Sequence, residues 1–309
     1  MYERISLADV THERWLKLRK SGIGGSDAGA ICGLNPYSSA MKVYQDKVSD
    51  TVAEVDNEAI RIGHDLEDYV ARRFTEATGL KARKSNYMYR SIEHPCMLAD
   101  VDRLVVGEDA GLECKTVSAY GADKWADGNI PLHYVMQCYH YMVVTGKRSW
   151  YIAAVILGKE FIYRKLEWDD EIINGIIAKE EYFWNEYVMK RILPPPDGSK
   201  VCDEIIDQYF QTADTKEMIP LVGFDEKLNR RDEIMKKISH LQEEQKQIEQ
   251  EVKLFMQNHE LAGNSNYRVT WKNINTTKLD TKRIKSELPT LYDEYGLVSS
   301  YRRFEIKAA

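Results

Sequence analysis

The run Leu98-Ala99-Asp100-Val101-Asp102-Arg103-Leu104, followed after a short turn by Gly111-Leu112-Glu113-Cys114-Lys115, constrains this chain more than any other feature. Apolar and charged residues alternate in it with the period of a β-strand. Glu113 and Lys115 therefore share one face while Leu112 and Cys114 take the other. A preceding strand carrying Asp102 can lie antiparallel beside them, joined by the turn Gly107-Glu108-Asp109-Ala110. Two carboxylates and an ammonium then converge at one point of an apolar sheet. Charges in such a place are costly unless they are paired or bind something. The bare spacing D-x10-E-x-K occurs by chance, and a solvated hairpin could carry it; the apolar flanks favour a site.

Metal-assisted phosphodiester hydrolysis needs that set of groups. Carboxylate oxygens hold Mg2+ or Mn2+, and the metal acidifies a bound water and offsets charge on the scissile phosphate. Lys115 either orients or deprotonates the water, or stabilises the developing charge; residue type alone leaves the choice open.

The flanking segments read as helices and strands in alternation. A helix is expected over 11–20 with Thr11 as N-cap and Trp15, Leu16 and Leu18 apolar. The glycine-rich turn 21–27 leads into a short helix closed by Gly33, with Ser26 read as its N-cap. A further helix is expected over 39–47, and a long one from about Asp56 to Thr78, stopped by Gly79. Strands are expected over 82–90, 96–106 and 111–116. A helix over 132–144, a hairpin of 150–157 with 160–168, and a helix over 169–191 follow. Pro194-Pro195-Pro196 then marks a domain boundary, giving a first domain of 1–196 and an appendage of 197–309.

The appendage carries a heptad-like stripe, Ile234, Ile238, Leu241, Gln245, Ile248, Val252 and Phe255. We read it as an arm packing within its own chain, with self-association the lesser alternative. Strands at 267–271 and 301–306 are expected to flank a helix over 281–295. From Asn264 onward there are nine lysines and arginines against five acids, which suits DNA backbone contact or docking of a partner protein, with a structural cap as the alternative.

Composition narrows the class. The net charge of −6 does not advertise nucleic-acid binding, but local basic tracks are what a nuclease beside an acidic metal site requires. Five scattered cysteines with no CxxC pair argue against a disulfide framework and against zinc or iron–sulfur sites. The opening MYERISLADV has no apolar signal segment and no apolar run is long enough to span a membrane, so a cytoplasmic location is expected.

Several motifs occur together in one order. Gly63-His64-Asp65-Leu66-Glu67, Asp102, Glu113-Cys114-Lys115 and Gln137-Cys138-Tyr139-His140-Tyr141 resemble the phage lambda exonuclease and RecB-type nucleases. Gly22-Ile23-Gly24-Gly25-Ser26-Asp27-Ala28 with Asn35-Pro36-Tyr37 resembles the YqaJ viral recombinase family within that group. The resemblance covers roughly residues 10 to 190. It implies a mixed α/β fold, a PD-(D/E)xK restriction-endonuclease-like core to which the C-terminal helical and small β appendage is added. It implies a DNA exonuclease acting at 5′ ends of duplexes, with an endonuclease or a non-catalytic DNA-binding scaffold as alternatives.

The resemblance also implies roles. Asp102, Glu113 and the Cys114 carbonyl would hold the metal, with Glu67 completing the site directly or through water. Lys115 would be the catalytic cation, and Gln137 and Tyr141 would lie near DNA phosphates. Arg19 and Ser26 match positions that bind a terminal 5′-phosphate, which a helix start and a guanidinium favour. His64 would hydrogen-bond near the metal rather than ligate it. Asp100 departs from the family pattern and is an outer-shell candidate. A single-strand annealing protein and a ring trimer are the implied partners.

Overall fold

The computed structural model describes residues 1–50, 57–213, 215–297 and 299–307. Contacts divide the chain into two compact units, Met1–Phe210 and Gln211–Ala309.

The first unit opens with β1 (Tyr2–Ser6) and α1 (His12–Lys20), whose N-cap is Thr11. A two-residue strand β2 (Ile23–Gly24) runs directly into α2 (Gly25–Ile31), and α3 (Ala40–Val48) follows. The long helix α4 (Glu58–Thr78) ends at Gly79, whose positive φ of 76° suits a residue without Cβ. Its expected start at Asp56 lies outside the described residues.

The two strands expected next are each broken in two. Residues 82–91 form β3 (Ala82–Lys84) and β4 (Tyr87–Ser91), and residues 97–105 form β5 (Met97–Asp100) and β6 (Arg103–Val105). The breaks let the chain pass from one sheet to another. A four-stranded sheet has the order β1-β4-β5-β2. A five-stranded sheet contains β3, β6, β7 (Ala110–Val117), β8 (Ser149–Ile156) and β9 (Glu160–Glu167), in that order. Periodicity alone cannot show such a switch, because both halves keep the same alternation.

Strand β8 is buried along its whole length, as expected of a central strand covered on both faces. Trp150, Ile152, Ala154 and Ile156 face α5 (Leu132–Thr145) and α6 (Asp170–Phe183), in a cluster with Cys138, Met142 and Ile176. Tyr151, Ala153 and Val155 pack instead with Val70 and Phe74 of α4. The parallel neighbour β7 inherits the same division: Leu112 joins the α4 cluster, so Glu113 and Lys115 point to the α5 side. Gly111 must be glycine, because a Cβ there would lie 2.2 Å from the Trp150 ring.

The boundary expected at Pro196 is displaced. Beyond the prolines, α7 (Lys200–Tyr209) buries Cys202 and Ile205 against Met41 of α3, so the first unit continues to Phe210. In the second unit, α8 (Asp225–Met256) is followed by a hairpin of β10 (Leu261–Gly263) with β11 (Arg268–Thr270). Residues 301–307 form no strand, and the expected helix over 281–295 is split into α9 (Thr281–Glu287) and α10 (Pro289–Tyr295). Pro289, which has no N–H to continue a helix, starts the second piece. The described residues of its own unit do not cover the stripe on α8: Ile234, Ile238, Leu241, Ile248 and Phe255 are all exposed. Among the described residues no helix is long and apolar enough to cross a membrane.

Candidate active site

Asp102 lies not within a strand but in the bend between β5 and β6. The β6–β7 ladder pairs Arg103 with Leu112 and goes no further towards Asp102. The Asp102 carboxylate replaces the lost ladder partner by accepting the Cys114 N–H at 2.8 Å. That bond fixes the carboxylate beside β7, against Glu113.

Glu113 is 2% exposed, and each neighbour constrains it. Lys115 Nζ lies 2.5 Å from its Oε1, and Gln137 Nε2 donates to the same atom at 2.8 Å. Gln137 Oε1 in turn accepts from Lys115 at 3.2 Å, and its Nε2 also donates to the Tyr141 hydroxyl at 2.9 Å. Gln137 and Tyr141 are one helical turn apart on α5, which is why one face of that helix reaches both. The Lys115 ammonium sits over the Tyr134 ring, 4.6 Å from its centre.

Electrostatics follow from this crowding. Burial, and then the neighbouring Glu113, push Asp102 well above the usual carboxylate range. Burial pulls Lys115 down, but Glu113 and Asp102 override it and leave the ammonium raised above its ordinary value. Burial and the same two carboxylates raise the Tyr141 phenol.

Glu67 of α4 faces the site but is held by Arg103, which also pairs with Asp68 and donates to the Asp102 carbonyl at 2.6 Å. Arg103 is 3% exposed. It was missed in the sequence, where it read only as the residue after Asp102. Its signal was there: an arginine in a buried strand needs carboxylates, and Glu67-Asp68 supply them.

The residues present fit a divalent cation held by oxygen. Among the described residues no three His, Cys, Asp or Glu side chains come together as a ready cluster. However, Glu113 Oε2 is buried without a hydrogen-bond partner, and the charge of Glu113 acts on Asp102, whose carboxylate accepts the Cys114 N–H. Two carboxylates and a carbonyl match the habit of Mg2+, which takes few protein ligands and keeps its waters. Cys114 contacts the α4 cluster, consistent with its backbone rather than its thiol facing the carboxylates.

The residues implicated in phosphate binding open into the same space. A cleft of about 660 Å³ is lined by Arg19, Ser26, Glu67, Asp102, Gln137 and Tyr141. His64 and Asp100 line it too. Asp100 accepts the indole N–H of Trp15 at 2.7 Å, so it anchors α1 rather than crowding the carboxylate pair. Trp15 then carries the Arg19 guanidinium on its ring at 4.9 Å, and Arg19 reaches the Ser26 hydroxyl at 3.2 Å. The sequence reading counted Trp15 only as apolar surface.

Ser26 is not the N-cap of α2. Gly24 holds that place, and Asp27 accepts its N–H at 2.9 Å, which leaves the Ser26 hydroxyl for Arg19. One glycine of this turn also serves packing. A Cβ on Gly25 would sit 2.4 Å from the Tyr141 ring, so Gly25 lets α2 pack onto α5 at the site itself. Gly25→Ala is expected to destabilise the protein by about 1–3 kcal/mol through overpacking. A denaturant midpoint equal to that of the native protein would show that the ring can move aside.

A mixed sheet whose parallel pair lies between α4 and α5, with acidic and basic side chains on its α5 face, is the arrangement of the restriction-endonuclease-like, PD-(D/E)xK fold. Comparison with known proteins agrees. The YqaJ-like viral recombinase domain matches residues 14–148. A curated protein of Bacillus subtilis (strain 168), YqaJ, itself uncharacterised, is 36% identical over 97% of this chain and 95% of its own length. The chain belongs to the YqaJ family of viral-recombinase-like proteins. Among solved structures, LHK-Exo in complex with dAMP superposes with a TM-score of 0.51 at 18% identity, covering 64% of this chain and 97% of that one. The alkaline exonuclease LHK-Exo of Laribacter hongkongensis gives 0.50 at 18% identity, with 58% and 93% covered. At that identity the likeness is one of fold.

Proposed function

We propose that this protein is a metal-dependent deoxyribonuclease that degrades linear duplex DNA from its 5′ ends. The observation that carries the reading is the common cleft: Asp102 and Gln137, which border the buried Glu113–Lys115 pair, open into the space that also holds Arg19 and Ser26. The family's recombinase character and the exonuclease fold of the structural relatives support it.

In this reading Asp102, Glu113 and the Cys114 carbonyl hold Mg2+ or Mn2+, with Glu67 bordering the site. The ion, when bound, acidifies water and offsets charge on the scissile phosphate. Lys115 acts as an ammonium donor towards the phosphate oxygens, since its present partners, Glu113 and the Gln137 carbonyl, are both acceptors. Gln137 holds Glu113 and Tyr141 in register. Arg19, stiffened by Trp15, pairs with a terminal phosphate, and the Ser26 hydroxyl adds a donor. The single strand left behind suits an annealing protein as partner.

A terminal phosphate carries more charge than an internal one, so a guanidinium pocket selects ends. Linear duplex bearing a 5′-phosphate should be degraded faster than the same duplex ending in a 5′-hydroxyl, and covalently closed circles should survive. Arg19→Ala should equalise the two linear substrates while keeping metal-dependent cleavage. Rapid cutting of closed circles by the native protein would sink the end-dependent reading and point to an endonuclease.

A further inference from the structure

The apolar stripe of α8 is left open by the described residues of its own unit: Ile238 is 40% exposed, Leu241 62%, Ile248 56% and Phe255 84%. Counted as heptads, Ile234, Leu241, Ile248 and Phe255 occupy one seam position, d. Ile238, Gln245 and Val252 occupy the other, a. A helix of 32 residues with such a seam, about 48 Å long, is ample for a two-stranded pairing. We propose that α8 pairs with α8 of a second copy of this chain, and that the two helices run antiparallel.

The charges beside the seam decide the direction. The g positions read Arg230, Lys237, Glu244, Glu251 along the helix, basic first and then acidic. In a parallel pair, g faces e of the following heptad on the partner, and Glu244 then meets Glu249, with no compensating attraction elsewhere. In an antiparallel pair, g faces g. One register sets Arg230 against Glu251 and Lys237 against Glu244, on both sides of the dyad, and leaves no like-charge contact. A slip of one heptad either way brings Lys237 against its own copy or Glu244 against its own copy, which is repulsive. The favoured register also packs Ile238 on Leu241 at the centre. It places Gln245 opposite Ile234, and sets Arg231 and Lys227, the next seam residues towards the N-terminus, opposite Ile248 and Val252; polar residues in a seam penalise other registers. Arg230 already pairs with Glu233 at 2.8 Å on its own helix, and both are exposed, so exchange of partner costs little. The two chains would enter such a pair from opposite ends. The inference is independent of the nuclease chemistry.

Cross-linking of the full chain reads direction directly. The five native cysteines all lie outside α8 and are free. Protein carrying Ile234→Cys mixed with protein carrying Gln245→Cys should form a disulfide between those positions, identified by peptide mass. Ile234→Cys alone should form none, because its copies lie about 16 Å apart along the axis in this register. Any assembly through the first unit leaves that readout unchanged. Lys237→Glu should weaken self-association about ten-fold, and adding Glu244→Lys should restore it. Cross-links between two copies of Ile234→Cys, or a sedimentation mass identical for native protein and for Ile238→Asp with Leu241→Asp, would overturn the proposal.

Discussion

Replacing Asp102 by Asn should abolish DNA hydrolysis and at the same time make the metal-free protein harder to unfold. The first effect follows from the loss of a proposed metal ligand, an interaction worth several kcal/mol in the transition state, or on the order of 10³-fold or more in rate. The second follows from the environment. Burial and Glu113 raise the Asp102 carboxyl well above its usual range. Its ionised form is therefore a cost to the folded state, one that grows as pH rises above the ordinary aspartate value of about 4 towards the folded one. Asn keeps the acceptor for the Cys114 N–H and drops the charge. Millimolar Mg2+ should reverse the order, because binding to the native state alone stabilises it by about 2.7 kcal/mol at a hundred times Kd. Thermal melts of both proteins with EDTA and with Mg2+ test all of this. A variant less stable than native protein in EDTA, or one equally stabilised by Mg2+, would remove Asp102 from the proposed metal site.

The sequence revealed this site in parts, for identifiable physical reasons. Glu113, Lys115, Gln137 and Tyr141 were legible because strand period 2 and helix period 3.6 fix which side chains share a face. Asp102 was legible as a residue but not as a geometry. It sits at the switch between two sheets, where the alternating pattern runs on undisturbed through a break in the chain's path. Arg103 showed only that it needed carboxylates, and Trp15 only that it was apolar, because their partners lie 35 and more residues away, Glu67 and Asp68 for the one and Asp100 for the other. The same limit displaced the domain boundary. Three prolines end a helix wherever they occur, but only packing shows that α7 returns to α3. Gly25 and Gly111 show their need only in the packed structure, where a helix or strand lies flat against an aromatic ring.

The second large effect is expected from a residue away from the carboxylates. Lys47 of α3 lies 2.7 Å from Asp27, with the two side chains only 6% and 16% exposed, and it also donates to the Arg19 carbonyl at 3.0 Å. It therefore ties α1 and α2 together behind Arg19 and Ser26, the proposed phosphate-binding residues. Lys47→Met keeps the aliphatic stem and removes the ammonium, leaving Asp27 a buried carboxylate without its main partner. Breaking such a pair costs about 3–5 kcal/mol. The pH dependence distinguishes this from simple loss of packing. Burial pushes Asp27 up, but Lys47 and Arg19 override it and hold the carboxyl below its usual value. A depressed carboxyl contributes stability that is present above the unfolded pKa and is lost as pH falls through the folded one. Without Lys47 the balance tips to burial, and protonation then relieves the variant. The stability difference between native protein and Lys47→Met should be largest near neutrality and shrink below about pH 4. Asp27→Asn added to Lys47→Met should recover much of the loss at neutral pH, because the buried charge is gone. The recovered double variant should still show a weakened preference for 5′-phosphate ends, since the bond from Lys47 to the Arg19 carbonyl is gone. A stability difference unchanged between pH 7 and pH 3 would mean that Asp27 is not the source of the cost, and that Lys47 acts through its stem alone.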